Sequence, residues 1–250
     1  MIVLLPPSET KRDGGADATA LDLAALSFPA LLPHRRTTVA ALRKLSRNIE
    51  ESHAALKLSA KQRFEIDRNR ALSTSPVMPV MDRFTGVLYE ALDAPALDES
   101  ARAWLAAHVV VHSALFGLVG AGDLIPAYRL SQDSRLPGVL LKKHWNEAIS
   151  AELAKTDALT LDLRSEGYVA LGPAGDNSYY VRVVTADSDG AKRALNHFNK
   201  KGKGEFVRAL ATAGITHHSV DSLLEWTASA GIRLELSRAA NGREMLDLVV

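Results

Sequence analysis

Apolar residues recur every three or four positions over much of the chain, a spacing that predicts amphipathic helices. The first such stripe runs from Val39 to Ile49. Ser59 followed by Gln62 matches a capping box, and Asp98 is a suitable N-cap, so both places indicate helix starts. The helices are expected at residues 39–56, 59–71, 81–92, 98–107, 139–155, 205–213 and 220–230.

Continuous or alternating runs of apolar and β-branched residues predict strands between these helices. They are expected at residues 1–5, 109–116, 128–130, 159–163, 179–184, 232–236 and 245–249. Asn241-Gly242 lies between the last two, which suits an antiparallel hairpin. Residues 191–199 fit either a helix or a strand. With no internal repeat and no clear linker, the pattern predicts one mixed α/β (α+β) domain over residues 1–250.

The amino-acid composition mainly shows which classes of protein and of binding site this chain does not match. The 250 residues are 47 % hydrophobic and 24 % charged, as in an ordinary globular protein with a sizeable core. No apolar run approaches the ~20 residues of a membrane-spanning helix, and the opening residues do not match a signal peptide. The absence of cysteine excludes disulfides and thiolate metal sites, and it suits a cytoplasmic protein.

The formal net charge is only +1, so the positive charge in Phe198–Gly204 is a local concentration. Lys200, Lys201 and Lys203 stand among glycines there, just before a helix expected to begin at Glu205. Free N–H groups at a helix start, with ammonium groups beside them, can bind phosphate or carboxylate. The alternative is a solvated surface loop.

A second candidate for phosphate binding is the segment Leu136–Val139, a Pro-Gly turn before a helix. It resembles the hairpin of helix-hairpin-helix modules, in which backbone N–H groups hold a duplex phosphate without reading bases. Gly138 would supply the turn, and Lys142 and Lys143 would add charge on the helix that follows. The alternative is a plain turn, because residues 130–135 are too short and polar for a convincing first helix.

Ser165, Glu166 and Tyr168 follow a predicted strand, and strand ends are where α/β folds place their chemistry. These residues are candidates for catalysis if their loop meets Lys201 or Lys203, since a Ser–Glu–Lys grouping would then form.

Arg129 suits phosphate or carboxylate, although an ion pair with nearby Asp123 would give the same sequence pattern. His108 and His112 have a metal-ligand spacing only on a helix, and the residues between them favour a strand. The glycines at 117–122 match no nucleotide-binding motif. We therefore expect no metal site and no bound cofactor.

Several segments, in this order, resemble the YaaA (DUF328, UPF0246) peroxide-stress family over the length of the chain. The first is the opening stretch with Ser8, Thr10 and Lys11, and the last is the basic run that ends at Gly204. The matching segments are Leu4–Lys11, Phe84-x-Gly86-x-x-Tyr89, Ser113–Gly117, Asp123–Leu130, Trp145, Ser165–Tyr168 and Phe198–Gly204.

Two positions depart from the family pattern. Better-known members read Ser-Pro-Ala-Lys-Thr at the start, so the lysine is displaced to Lys11 here. The last motif usually has arginine where this chain has Lys203, which keeps the charge but loses the bidentate fork.

The resemblance implies a cytoplasmic protein of the response to hydrogen peroxide, which helps to limit iron-driven oxidative damage to DNA. It implies a compact mixed α/β fold with a positively charged cleft and a helix-hairpin-helix-like element. Double-stranded DNA, including distorted or bubble DNA, is the implied partner, with no membrane involved. Under this interpretation residues 191–199 are a strand, and Lys200, Lys201, Lys203 and Arg129 hold phosphates.

Two functions follow from these observations. The first is duplex binding without strong sequence specificity. The second is an enzyme that acts on a nucleotide or another phosphorylated small molecule in the same cleft. Its candidate residues are Ser8, Lys11, Arg129, Ser165, Glu166, Tyr168 and Lys201.

Overall fold

The chain forms a mixed α/β fold in a computed structural model that describes residues 1–16, 19–186, 192–194 and 198–250. The strands are β1 Ile2–Leu5, β2 Met78–Pro79, β3 Val109–Ser113, β4 Gly117–Gly120, β5 Leu124–Ile125, β6 Thr160–Asp162, β7 Ser178–Ala186, β8 Lys192–Ala194, β9 Leu234–Arg238 and β10 Glu244–Val249. The helices are α1 Leu32–Leu45, α2 Ile49–Leu56, α3 Arg63–Arg70, α4 Val80–Arg83, α5 Val87–Leu92, α6 Glu99–His108, α7 Leu141–Leu153, α8 Glu166–Val169, α9 Phe198–Ala213 and α10 Val220–Ser229. Three short 3₁₀ turns lie at Pro29–Leu31, Ala60–Gln62 and Ala94–Ala96.

The main sheet has the strand order β4-β3-β1-β6-β7-β10-β9, with β8 paired to β7. β3, β1, β6, β7 and β10 run parallel, and β4, β8 and β9 run antiparallel to their neighbours. Val3, Leu4 and Leu5 of β1 are 0 % exposed, as expected of a parallel sheet covered on both faces. This confirms the buried opening strand, and the final hairpin of β9 and β10 is confirmed as well.

The sheet changes its winding direction between β1 and β6. From β1 the chain continues to β3 on one side, whereas from β6 it continues to β7 on the other. Open α/β sheets bind ligands outside the carboxyl ends of the strands at such a switch point. The residues that follow β1 and β6 are therefore the first place to look for a site.

Two of the predicted helices are each split in the structure. The helix expected at 39–56 ends at Leu45, and Asn48 caps a new one by accepting a hydrogen bond from the Glu51 N–H at 3.2 Å. The helix expected at 81–92 is interrupted at Gly86, whose φ of 94° is not helical. The N-cap role of Asp98 is confirmed, because its carboxylate accepts from the Ala101 N–H at 2.8 Å.

Two predicted strands differ as well. The strand expected at 109–116 ends at Ser113, because the Ser113 hydroxyl oxygen accepts hydrogen bonds from the N–H groups of Leu115 and Phe116 and closes a turn into β4. The expected strand 128–130 does not form. The Arg129 N–H instead donates to Asn69 Oδ1 at 2.8 Å, and the Arg129 carbonyl oxygen accepts from Asn69 Nδ2 at 2.9 Å.

The segment Phe198–Gly204 is the first part of α9 and not a loop, so the prediction of a helix start at Glu205 is wrong. Its glycines serve close packing. A Cβ at Gly204 would lie 2.2 Å from the Leu88 carbonyl oxygen of α5, and one at Gly202 would lie 3.3 Å from Val183 of β7. Of residues 191–199, 192–194 are strand and 198–199 are helix, while 191 and 195–197 lie outside the described residues.

Candidate functional site

Three segments meet beside the switch point, each from the carboxyl end of a parallel strand. They are residues 6–11 after β1, Ser113 at the end of β3, and residues 163–168 after β6. The loop at 126–130 and α3 cover this edge through Tyr128, Arg129 and Asn69. We call this group of residues the strand-end cluster.

Lys11 is the buried amine of the strand-end cluster. Its Nζ donates to the carbonyl oxygens of Ser8 at 2.9 Å and Glu9 at 3.2 Å, and it lies 4.2 Å from the centroid of the Tyr128 ring. Burial lowers the pKa of Lys11 to about 7, although the carboxylates of Glu65 and Glu9 oppose that shift. A substantial fraction of Lys11 is therefore an uncharged amine near neutral pH.

The opening motif packs directly against the Phe84–Tyr89 motif. The hydroxyl oxygens of Ser8 and Thr10 lie 3.2 Å apart, and a Cβ at Gly86 would come within 3.0 Å of the Ser8 oxygen. The Tyr89 hydroxyl donates to the Pro6 carbonyl oxygen at 2.8 Å. Glycine at 86 thus leaves room for the hydroxyl groups of Ser8 and Thr10 beside the strand-end cluster.

Arg129 is 7 % exposed, and its Nη2 lies 2.8 Å from Glu9 Oε2. The ion pair with Asp123 that the sequence left open does not form. The Asp123 carboxylate accepts hydrogen bonds from Ser27 and from the Gly120 N–H instead. Arg129 thus turns toward the loop that follows β1.

Two buried tyrosines complete the cluster. The hydroxyl oxygens of Tyr128 and Ser113 lie 2.6 Å apart, and burial raises the pKa of the Tyr128 phenol. Burial also raises the pKa of the Tyr168 phenol well above its usual value, and the charge of Glu9 adds to that effect. Both phenols are protonated at neutral pH and can donate hydrogen bonds.

A Ser–Glu–Lys grouping is not formed after β6, because neither Ser165 nor Glu166 contacts Lys201 or Lys203 in the described part of the chain. Ser165 and Glu166 are exposed, and Lys201 pairs with Glu205 on its own helix at 3.3 Å. Lys203 does reach this loop, since its Nζ donates to the Leu163 carbonyl oxygen at 3.0 Å.

Lys203 is 4 % exposed and lies over the Tyr180 ring, with its Nζ 5.3 Å from the ring centroid. Burial lowers the pKa of Lys203 to about 8, against the opposing charge of Asp162. The side chain therefore lies inside the protein, between α9 and the sheet, and is not part of an exposed surface.

The predicted Pro-Gly turn is present at Leu136–Val139. The Val139 N–H donates to the Leu136 carbonyl oxygen at 3.0 Å, and Gly138 has a φ of 76°, as in a type II turn with proline at the second position. Residues 130–135 form no helix, so the first helix of a helix-hairpin-helix is not found directly before this turn.

The turn leads into α7, where Lys142 and Lys143 are exposed and the preceding residue, Leu140, is 76 % exposed. The first turn of α7 contains no acidic residue, and no side chain among the described residues caps its N–H groups. The first turn of α9 likewise contains Lys200 and Lys201 and no acidic residue. Lysines at a helix N-terminus oppose the macrodipole, so both helix starts favour an added anion.

Two histidines outside the cluster, His108 and His217, are held in place by protein groups. His108 Nδ1 lies 2.9 Å from the Met1 carbonyl oxygen, and His217 Nδ1 lies 3.0 Å from the Ser222 hydroxyl oxygen. Among the described residues, no group of three or more His, Asp or Glu side chains could hold a metal ion. No helix in the described part of the chain is long and apolar enough to cross a membrane.

Comparisons with known proteins decide the family. The family model described as peroxide stress protein YaaA matches residues 1–234. A UPF0246 protein of Corynebacterium glutamicum is 42 % identical, with 100 % of both chains covered. A UPF0246 protein of Streptomyces coelicolor is 36 % identical over 97 % of this chain and 95 % of its own. The chain belongs to the YaaA (UPF0246) family of peroxide stress proteins.

Several of the YaaA-family motifs quoted from the sequence meet at the strand-end cluster. The structure brings Ser8, Thr10, Lys11, Arg129 and Tyr168 together there. It places Gly138, Lys142 and Lys143 elsewhere, at the start of α7, and Lys200 and Lys201 at the start of α9. The candidate residues thus divide into the strand-end cluster and two exposed helix starts.

Sequence reasoning missed one buried network beside the cluster. Arg164 is 0 % exposed, and its Nε and Nη2 bind both carboxylate oxygens of Asp162 at 2.8 and 2.6 Å. Its Nη1 lies 2.9 Å from His112 Nδ1, and burial lowers the pKa of His112 well below its usual value. The Asp-x-Arg spacing at the end of a predicted buried strand was the available signal.

Proposed function

We propose that this chain binds double-stranded DNA without strong sequence specificity as its part in the cytoplasmic response to peroxide. The observation that carries the proposal is the exposed Pro137-Gly138 turn, which leads into an uncapped helix start bearing Lys142 and Lys143. Such a start offers free N–H groups and the positive end of the helix dipole to a phosphate. These contacts do not depend on the base sequence, because they involve only the phosphates of the DNA backbone.

The charge distribution along α7 supports this proposal. Its first turn contains Lys142 and Lys143 and no acidic residue, whereas Glu152 in its last turn is paired with Lys155, which follows the helix. This is the reverse of the arrangement that stabilises an isolated helix, in which acidic groups stand at the N-terminus. A phosphate at the N-terminus would remove the conflict. Lys200 and Lys201 of α9 would supply further contacts with the same or a distorted duplex.

Binding along the duplex would also limit iron-driven damage. DNA carries a condensed layer of cations, and a protein that neutralises phosphates with lysine releases those cations. Iron(II) bound among them would be displaced from the DNA, so that hydroxyl radicals form less often beside it. The proposed effect on iron is therefore indirect.

Charge reversal at the start of α7 tests the proposal. We expect the Lys142→Glu/Lys143→Glu variant to bind a labelled duplex about 10- to 30-fold more weakly at low salt, because two phosphate contacts become repulsive. Fluorescence anisotropy measures the affinity.

The matched control is Lys61→Glu/Arg63→Glu, which reverses the charge of two exposed residues at and just before the start of α3. Each of these changes alters the charge by −2, so both double variants move the formal net charge from +1 to −3. We expect the control to retain its affinity within about threefold, because distant charges are screened. An equal loss in both variants would show a net-charge effect and would contradict the assigned surface.

A second candidate function is favoured by the strand-end cluster. Polar residues of the family motifs gather at the switch point, where α/β folds bind small molecules, and duplex binding by α7 does not require them there. We propose an enzyme or binding site for a nucleotide or other phosphorylated small molecule. A ligand at 100 times its dissociation constant stabilises the fold by about 2.7 kcal/mol, so thermal unfolding with a nucleotide panel tests this function.

A further inference from the structure

Arg129 uses only part of its hydrogen-bonding edge. Nε and Nη2 of a guanidinium form a fork that matches the two oxygens of a carboxylate or phosphate. Arg164 and Arg182 use this fork fully, on Asp162 and Asp247, with all four distances between 2.6 and 3.1 Å. Arg129 contacts Glu9 Oε2 through Nη2 alone, and its buried Nε has no hydrogen-bond partner among the described residues.

An unpaired donor at this depth is costly. The Arg129 side chain is 8 % exposed, so water cannot readily satisfy its Nε. A buried donor without a partner lowers the stability of the fold, and the cost is larger for a charged group. The arrangement is therefore incomplete, and one anion with two correctly placed oxygens would complete it.

The position of Arg129 is fixed before any ligand arrives. Asn69, which is 0 % exposed, binds both the N–H and the carbonyl oxygen of Arg129. Glu9, by contrast, has a side chain that is 62 % exposed, on the loop after β1. A rigid arginine thus faces a carboxylate that is free to move into solvent.

The neighbouring charges leave Glu9 as the exchangeable partner. Arg68 binds Glu65 through Nη1 at 3.1 Å and Asp13 through Nη2 at 2.6 Å. Those two carboxylates are therefore already paired. If Glu9 swings away, Arg129 faces the site together with Lys11, and the local charge becomes more positive.

We propose that Arg129 anchors a binding site for a small anion, the carboxylate or phosphate group of a small molecule, and that Glu9 occupies this site when no ligand is present. The proposal rests on the second candidate function for its location and names the residues that hold the ligand. It is independent of duplex binding by α7. The burial of Arg129 suits the terminal group of a small molecule better than the continuous backbone of a duplex.

Replacement of Glu9 by alanine gives the decisive test, because it removes the carboxylate that competes for Arg129 and the Glu9 side chain is itself 62 % exposed. The probes are inorganic phosphate, sulfate and acetate, each titrated by calorimetry at constant ionic strength. We expect Glu9→Ala to bind at least one of these anions about fivefold more tightly than the wild type, since the competing ion pair is lost. Preference for acetate indicates a carboxylate ligand, and preference for phosphate or sulfate indicates a phosphate ester.

Two further variants complete the design. Glu225→Ala removes an exposed carboxylate on α10 and should leave anion affinity unchanged. Adding Arg129→Gln to Glu9→Ala should abolish the gain. Equal anion affinity in Glu9→Ala and the wild type would overturn the proposal, as would a gain that survives Arg129→Gln. Duplex affinity, measured on the same Glu9→Ala protein, should not change, so failure of this site and failure of DNA binding are separate results.

Discussion

Replacing Gly204 by alanine is expected to lower the free energy of unfolding by about 2–3 kcal/mol, because the added methyl group overpacks the contact between α9 and α5. The new Cβ would lie 2.2 Å from the Leu88 carbonyl oxygen and 3.0 Å from the Leu92 nitrogen. Both are backbone atoms of α5, so no side-chain rotation can relieve the clash. The two helices would have to move apart.

Urea denaturation of wild type and variant measures this effect. The internal control is Gly202→Ala, whose Cβ would have the side chains of Val250 and Val183 as its nearest neighbours, at 3.2 and 3.3 Å. We expect its stability to change by less than about 1 kcal/mol, since alanine also favours the helix. If Phe198–Gly204 were a mobile loop, Gly204→Ala would be neutral or slightly stabilising, and the packing described here would be wrong.

The second large effect is a rise of stability with pH that depends on Lys11. Below pH 7 the amine is protonated in both the folded and the unfolded chain, and burial of its charge lowers the free energy of unfolding. Above its folded pKa of about 7 the folded protein releases that proton, whereas the unfolded chain keeps it up to the ordinary pKa of 10.5. Stability therefore increases with pH within this window. The gain from Lys11 between pH 7 and 9 is about 2 kcal/mol.

Lys11→Met isolates this contribution, because methionine fills a similar volume and does not titrate. We expect the wild type to gain stability relative to Lys11→Met from pH 7 to 9, as measured by urea denaturation at each pH. Lys203, with a pKa of about 8, adds a similar rise from pH 8 upward in both proteins and cancels in the difference. Parallel pH profiles for the two proteins would show that Lys11 is protonated in the folded state.

Local patterns in the sequence were enough to predict several individual elements of the fold. The apolar run of β1, the N-cap at Asp98 and the final hairpin with Asn241-Gly242 all depend on residues close together in the chain, and all three are confirmed. The segment Phe198–Gly204 was misjudged for the opposite reason. Gly204 packs against α5 and Gly202 packs against β7, both far away in the sequence, and nothing near these glycines in the chain reveals those contacts.

The candidate site could likewise be predicted only in part, because some of its contacts join residues that are far apart in the sequence. The sequence identified Ser8, Lys11 and Arg129 as functional candidates, and the structure places them in one cluster. The partner of Arg129 could not be predicted, since Asp123 is near in sequence but Glu9 is near in space. The burial of Lys203 was equally hidden, because its charge and its glycine neighbours are typical of a surface loop.

The most direct test of the proposed DNA binding is the salt dependence of duplex affinity. Each phosphate contact contributes about −0.9 to the slope of log affinity against log salt. The four exposed lysines at the starts of α7 and α9 therefore predict a slope of about −3 to −4 for the wild type, and of about −2 for Lys142→Glu/Lys143→Glu. Absence of binding at low salt, or the same slope in both proteins, would contradict the proposal that α7 contacts the DNA backbone.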